Sequence, residues 1–533
     1  MSSSLLTDPL VAPTEDIAAF RPPEIRQRML DAASKGCFDV AIIGGGINGA
    51  CLFDRLSRQG ARVLLLDRGD FAGGTSQASG MMIWGGLLYL RNLDLRTVCK
   101  LSRARDRMIQ QMPEEVMPSP YRYIIDHKAG RSRWLAQAAL AFYWLLSRGR
   151  RTPPCYQRKF DELRFLNHRR QEGSLVFEEG LLRQADSRFV LHWITRNVSV
   201  RQTALNHCEL EGGAYDPRGR LWTLNLSDCV GGRTLEARAR YVVNCAGVWT
   251  DAVNRAFHIQ TPYRHALSKG VYLGLRRPKA LNHPLIFEMG EAGDTLTLTP
   301  WGPVALWGPT ETAVASIEEG RQVTAEDVEF LLRHYNRNLG EKITRRDIVS
   351  LRCGIRPLAV RAGDKADCYP LDLSRRQHVV RDPALPWIST YGGKLTGCIP
   401  LAEKVARALR PALPAPRESR ERPVLQPLEA APRVCFPGLD ETVPSLPWCV
   451  ENELCCTLED YLRRRTNLAQ WVPRGGLGAT GENRPHLLKL AAAQSGGREL
   501  GKRAVDHYTA RVDAQWRTAL GVSAPPATEE ERS

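Results

Sequence analysis

Between Phe38 and Ala50 the chain reads Phe38-Asp-Val-Ala-Ile-Ile-Gly-Gly-Gly-Ile-Asn-Gly-Ala50, an apolar strand-like run that breaks into glycines and continues as a helix-like segment. Gly44, Gly46 and Gly49 fall on the G-x-G-x-x-G spacing. The first permits a tight turn, the second lets a pyrophosphate approach the backbone, and the third lets helix pack on strand. A second apolar run, Arg62-Val-Leu-Leu-Leu-Asp67, ends in an acid about twenty residues further on, where a ribose hydroxyl needs an acceptor. The two runs and the turn between them predict a Rossmann-type βαβ unit that binds a dinucleotide. Its plain alternative is a glycine-rich turn in an ordinary α/β domain.

At 533 residues and 43% hydrophobic content the chain is expected to divide into two or three domains, because single cores stop growing near roughly 250 to 300 residues. A formal net charge of +16 suits an anionic partner. No zinc-finger spacing or RNA-binding signature accompanies it, so nucleic acid is not expected and a membrane surface or a phosphorylated substrate is. The 14 cysteines contain no C-x-x-C pair, which gives no metal site and predicts reduced thiols. The first 36 residues lack a basic-then-apolar leader, which predicts a cytoplasmic location. Trp134 to Leu146 is strongly apolar but shorter than the roughly 20 residues that span a bilayer. With Arg131, Arg133, Arg148, Arg150 and Arg151 around it, it reads either as a helix lying in a lipid interface or as a buried core helix.

Three further stretches bear on the nucleotide. Phe71 to Gly80 is rich in glycine and hydroxyls, Tyr241-Val-Val-Asn-Cys-Ala-Gly247 is another apolar run ended by small residues, and Trp387 to Thr396 repeats strand, double glycine, then a helix from about Leu401 to Leu409. That last helix N-terminus would suit the electron-rich edge of a flavin. Strand-like runs at 270–275 and 295–299 and an amphipathic helix from Ala325 to Leu339 predict a separate substrate domain. The expected division is an N-terminal extension (1–36), a nucleotide-binding domain with an excursion at 120–190 (37–260), a substrate domain (261–345), a return to the first domain (346–410), a proline-rich linker (411–433) and a helical domain (434–533).

With these turns in this order, the chain resembles the FAD-dependent glycerol-3-phosphate dehydrogenases, aerobic and membrane-associated enzymes of the glycine oxidase-like superfamily, over roughly residues 37 to 515. The carriers are Ile42 to Ala50, Thr75-Ser-Gln-Ala-Ser79, Gly85-Gly-Leu-Leu-Tyr89, Asn244 to Trp249, Gly354-Ile-Arg-Pro-Leu358 and Gly392-Gly-Lys-Leu-Thr396. Glu451 to Leu454, Thr457 to Asp460 and Arg463 to Thr466 look like that family's cap domain. The resemblance implies an α/β fold: a Rossmann-type FAD-binding domain with an inserted mixed-sheet substrate domain and a C-terminal helical domain. It implies FAD held by Gly44, Gly46, Gly49, Asp67, Thr75, Ser76, Ser79, Gly247, Gly392, Gly393, Leu395 and Thr396. Arg356 would meet the substrate beside the flavin, with Lys394 and Tyr89 adding charge and position; structural pairing of Arg356 is the plain alternative.

The departures are as informative as the matches. Where the family reads Ser-Ser-Lys-Leu-Ile-His-Gly-Gly-Leu-Arg-Tyr, this chain has Ser79-Gly-Met-Met-Ile-Trp-Gly-Gly-Leu-Leu-Tyr89, so Met81, Trp84 and Leu88 replace a lysine, a histidine and an arginine. Loss of the arginine would forfeit a charge-assisted hydrogen bond to a phosphate, of order 1.5 to 3 kcal/mol. Arg352 shares a strand face with 354 and 356 and is a candidate replacement; a solvent-facing arginine is the alternative. The resemblance implies oxidation of glycerol 3-phosphate to dihydroxyacetone phosphate, or of a related polyol phosphate. Electrons would pass to a quinone, and the protein would attach peripherally to the cytoplasmic membrane, with a homodimer compatible. A different substrate, an oxygen-using enzyme and a non-catalytic flavin-binding paralogue stay open. The proton acceptor is unassigned, since an indole N–H at Trp84 only donates.

Overall fold

The structure is a computed structural model that describes residues 19–126, 132–168, 170–199, 201–289, 294–363, 373, 376–413 and 423–521, with the side chains of Leu88, Arg91, Asn92 and Asp294 outside the description. Two large sheets organise it. In the first, the strand Cys37–Ile43 lies between two parallel neighbours, Thr234–Asn244 and Val63–Leu66, with Ile43 level with Asn244 and with Leu66. Val63–Leu66 is buried along its whole length, as expected of a parallel strand covered on both faces. The parallel set continues through Gln202–Leu205 on one side and Trp387–Tyr391 on the other.

All of these strands end at one edge, where the chain turns from Ile43 into the helix Ile47–Arg58. Two glycines make that turn sterically possible. Gly44 has φ +101°, and a Cβ there would lie 2.6 Å from the Cys245 carbonyl oxygen; a Cβ on Gly49 would lie 1.9 Å from the Gly44 carbonyl oxygen.

Among the described residues the second sheet has ten strands and runs 312–314, 263–276, 304–308, 294–301, 285–289, 116–126, 171–182, 82–83, with 348–361 paired to 263–276 and 155–157 to 171–182. Two segments therefore sit differently from expectation. The 120–190 excursion supplies strands to this second sheet, and residues 348–361, expected to return to the nucleotide domain, pair antiparallel with Tyr263–Arg276 over nearly their full length. The expected helix at 325–339 is present as Ala325–Asn338, opened by a capping box between Thr324 and Asp327.

Residues from Ala431 to Val512 form their own apolar core. Phe20 plugs into it, and its N–H donates to the Cys456 carbonyl at 2.7 Å. The helix Glu24–Lys35 then carries Arg26 into a buried ion pair with Asp228, 2.5 Å away. The apolar helix Arg133–Leu146 is not a core helix: only Leu140 and Tyr143 are buried, while Trp134 (68%), Leu135 (67%) and Leu145 (63%) are exposed. Arg131 lies outside the described residues. No helix among the described residues is long and apolar enough to cross a membrane.

Candidate active site

A cavity of about 1190 Å³ runs from the glycine turn between the two sheets to the C-terminal helices. Its floor at the turn is built from backbone. Gly46 precedes the helix in an extended conformation, and the Ser76 hydroxyl accepts the Ile47 N–H at 3.0 Å; like every helix start, this one has further N–H groups without an intrahelical partner, beside the cavity that Gly46, Ile47 and Asn48 line. Beside them the amide of Asn48 donates to the Gly392 carbonyl at 3.3 Å, and its buried Oδ1 has no partner. Asp67 accepts the N–H of Gly45 at 2.7 Å and of Gly69 at 2.9 Å. Burial pushes its carboxyl up to about 7, against the pull of those two N–H groups.

Every sequence-predicted cofactor residue lines this cavity except Gly49, which lies behind the turn: Gly44, Gly46, Asp67, Thr75, Ser76, Ser79, Gly247, Gly392, Gly393, Leu395 and Thr396. The segment around Thr75 is fastened to the second sheet, since its hydroxyl donates to the Ile355 carbonyl at 2.5 Å. The Gly392–Gly393 turn is fastened by His265, whose Nε2 accepts the Gly392 N–H at 3.3 Å. His265 must be neutral to accept there, and burial lowers its pKa to about 4, opposed by Asp251. A bare-backbone helix start, an ionisable acceptor at the end of the second strand and an unpartnered buried amide oxygen together fit a dinucleotide.

The second sheet closes the other end. Arg356 reaches the cavity past Gly270, where a Cβ would lie 2.3 Å from its Nη2. Its guanidinium donates to the carbonyls of Lys269 and Thr310, both at 3.2 Å, and stands 3.3 Å from Glu311. Ser268 donates to the other Glu311 oxygen at 2.5 Å. Tyr272, Glu318 and Arg321 line the same lobe. Burial pushes the Tyr272 phenol up to about 12, so it remains a hydrogen-bond donor. Across the cavity Lys394 places its ammonium 4.5 Å from the centre of the Tyr89 ring, a cation–π contact; Tyr89 itself lies behind the wall.

Of the departures from the family pattern, Trp84 lines the cavity and packs edge-on to Tyr121 at 5.5 Å, whereas Met81 is buried away from it. The loop after Trp84 is pinned by buried Glu179, which accepts from Gly85 N–H at 2.8 Å, from Arg105 at 2.9 Å and from the Tyr143 hydroxyl.

Arg352 does not stand in for the arginine missing at Leu88. Its side chain does not line the cavity: it is 1% exposed, pairs with buried Asp186 at 2.5 Å, donates to the Ser79 carbonyl at 3.0 Å and lies over Trp301. A buried guanidinium is held by its counter-charge, and here that partner comes from the helix Asp186–Thr195. Arg352 positions the Thr75–Ser79 loop instead.

The sequence reading missed Tyr272, Glu311, Glu318, Arg321 and Asn48. Gly270, an isolated glycine inside a strand pattern, marks the close approach of Arg356, and Tyr272 lies two residues along the same strand face.

The fold and this cavity define a Rossmann-type flavoprotein, with FAD as cofactor. A family model described as FAD dependent oxidoreductase (DAO) matches residues 39–374, and the chain belongs to that family. Aerobic glycerol-3-phosphate dehydrogenase of Staphylococcus haemolyticus is 27% identical over 373 residues, covering 68% of this chain and 64% of that protein. The enzyme of the same name from Escherichia coli is 27% identical over 376 residues, 70% of this chain and 73% of that protein. Among solved structures, glycerol-3-phosphate dehydrogenase from Bacillus halodurans complexed with FAD superposes with a TM-score of 0.67 at 19% identity, over 93% of this chain and 97% of that one.

Proposed function

We propose that this chain is an FAD-dependent dehydrogenase that oxidises the secondary alcohol of glycerol 3-phosphate, or of a closely related polyol phosphate, and passes the electrons to a quinone. One observation carries the reading: Arg356, Glu311 and Lys394 line the same cavity as the dinucleotide turn, so a small polar substrate can sit against the cofactor with charged groups around it. FAD, when bound, supplies a two-electron acceptor for the substrate hydride. Arg356 orients and polarises the hydroxyl, its fork held in place by two carbonyls. Glu311, an acceptor beside Arg356, takes the hydroxyl proton. Lys394 contributes charge toward the phosphate, and Trp84 keeps water from one wall.

The exposed apolar face of Arg133–Leu146 supports peripheral attachment to an anionic membrane, where a quinone is found: Trp134, Leu135 and Leu145 would enter the interface, with exposed Arg148 and Arg150 on headgroups. Release by high salt and mild detergent, and binding to anionic vesicles at low salt, test this; protein that ignores such vesicles removes the membrane step. A second reading, a related enzyme for a different substrate, is favoured by Glu318 lining the same lobe as Glu311 and Arg356, since two carboxylates disfavour a phosphate dianion. Anaerobic bleaching of the oxidised flavin absorbance, scanned over polyol phosphates and their phosphate-free counterparts, decides between them. No bleaching by any polyol phosphate refutes the first reading.

A further inference from the structure

The cavity has a third lobe that neither the glycine turn nor the substrate end accounts for. Beyond Asp67 its wall passes Arg68, Asp70 and the stretch His207–Leu210, then crosses to the C-terminal helices at Glu459 and Arg511. The direction of the dinucleotide fixes what lies there. In a βαβ unit the pyrophosphate sits at the helix start and the acid at the end of the second strand meets the ribose of the adenosine half. The flavin half therefore points to Thr75–Ser79 and Gly392–Thr396, and the adenosine half points past Asp67 toward residues 457–460 and 504–511.

That lobe is built by ion pairs between domains. Asp70, three residues after Asp67, accepts from Arg465 through both oxygens at 2.7 and 2.9 Å, from Arg464, and from Asn206 at 2.8 Å. Next to it His207 meets Asp460 at 2.9 Å. The loop that carries the ribose acceptor is thus bolted to the C-terminal domain. Facing the space, Glu459 and Arg511 pair at 2.5 Å. Burial alone would raise the Glu459 carboxyl, and the Arg511 and Arg464 guanidiniums outweigh it, holding it at about 2.

We propose that the C-terminal helical domain is part of the cofactor site, closing its adenosine end with Glu459 and Arg511. Glu459 offers an acceptor to the purine amino group or a ribose hydroxyl, and the planar Arg511 guanidinium can lie on the purine face. The proposal holds whichever substrate the other end of the cavity takes.

Backbone hydrogen exchange on the wild-type apoprotein tests it without any variant. FAD, and ADP as a probe of the adenosine half alone, should slow exchange at 504–511, and FMN should not. If FAD slows exchange at the glycine turn but leaves 504–511 unchanged, the proposal fails. As a second measurement, Glu459→Gln combined with Arg511→Ala should raise the dissociation constant for FAD about tenfold or more, the loss of one charge-assisted contact, while the bound flavin keeps its wild-type visible spectrum. An unchanged constant, or a shifted flavin spectrum, would overturn the assignment.

Discussion

The three glycines of the first turn do different work, and alanine substitution separates them. A Cβ on Gly49 would lie 1.9 Å from the Gly44 carbonyl oxygen, whereas ordinary contact begins near 3.4 Å. Helix and turn must therefore part by roughly 1.5 Å, at an overpacking cost of about 3 kcal/mol. Alanine recovers about 1 kcal/mol of that as helix propensity, leaving a net loss of about 2 kcal/mol. Gly46→Ala meets no such obstacle. Its backbone, φ −74° and ψ −176°, is ordinary for alanine, and the sole atom near a Cβ is the Ser76 hydroxyl at 3.1 Å. The added methyl faces the cavity instead. Melting of the two apoproteins should show Gly49→Ala lowered by about 2 °C and Gly46→Ala within about 1 °C of wild type. FAD titration, followed by quenching of flavin fluorescence, should show the opposite ranking relative to the folding cost, with Gly46→Ala weakened at least about tenfold. A Gly46→Ala protein that binds FAD like wild type would mean that no pyrophosphate crosses this turn. A Gly49→Ala apoprotein that melts with wild type would refute the steric argument.

Arg356→Ala should retain FAD but lose most flavin reduction by substrate, a drop of about a hundredfold or more for a desolvated charged contact, and equal rates in variant and wild type would move the chemistry elsewhere. Arg352→Met should leave the Michaelis constant for a phosphorylated substrate near wild type but destabilise the protein by about 3 to 5 kcal/mol, because buried Asp186 loses its counter-charge. Denaturant unfolding beside steady-state kinetics checks both halves, and a large change in the Michaelis constant alone would return Arg352 to the pocket. His265 has a folded pKa near 4 against about 6.5 when unfolded, so stability falls as pH drops through that window, by up to about 3 kcal/mol, and levels off below it. The stability gap between wild type and His265→Phe should accordingly narrow from pH 6.5 to 4; a gap independent of pH would show that His265 is not neutral in the fold.

The nucleotide fold was legible because its signals are local: one turn, two apolar runs and an acid within about thirty residues specify a βαβ unit. What was not legible depends on pairing between distant segments. Glu311 and Arg356 meet because Tyr263–Arg276 pairs with Ile348–Arg361, a register that nothing near either residue announces. Arg352 shows the limit of alternation. Counting by twos correctly groups 352, 354 and 356 on one face, yet it cannot reveal that Asp186, from a separate helix, occupies the space in front of the first of them. The apolar helix at 133–146 was ambiguous for a similar reason, since hydropathy does not say which neighbours arrive to cover it. The mixed sheet was underestimated as well, because its strands 116–126 and 171–182 come from an insertion whose partner, Leu285–Met289, is more than a hundred residues away.

The seat of Phe20 in the C-terminal core sets an order of events for a chain made from its N-terminus. When residues 20–35 leave the ribosome, the surfaces at Cys456 and Asp228 do not yet exist, so this segment must wait through most of synthesis while the first sheet assembles beside it. Arg26 finds Asp228 midway, and the Phe20 strap closes only when the last helices are made. Residues 20–35 and the core formed by 431–512 thus become a single late-forming clasp. A protein cut short near residue 450 would leave that clasp open, with Phe20 exposed to other chains.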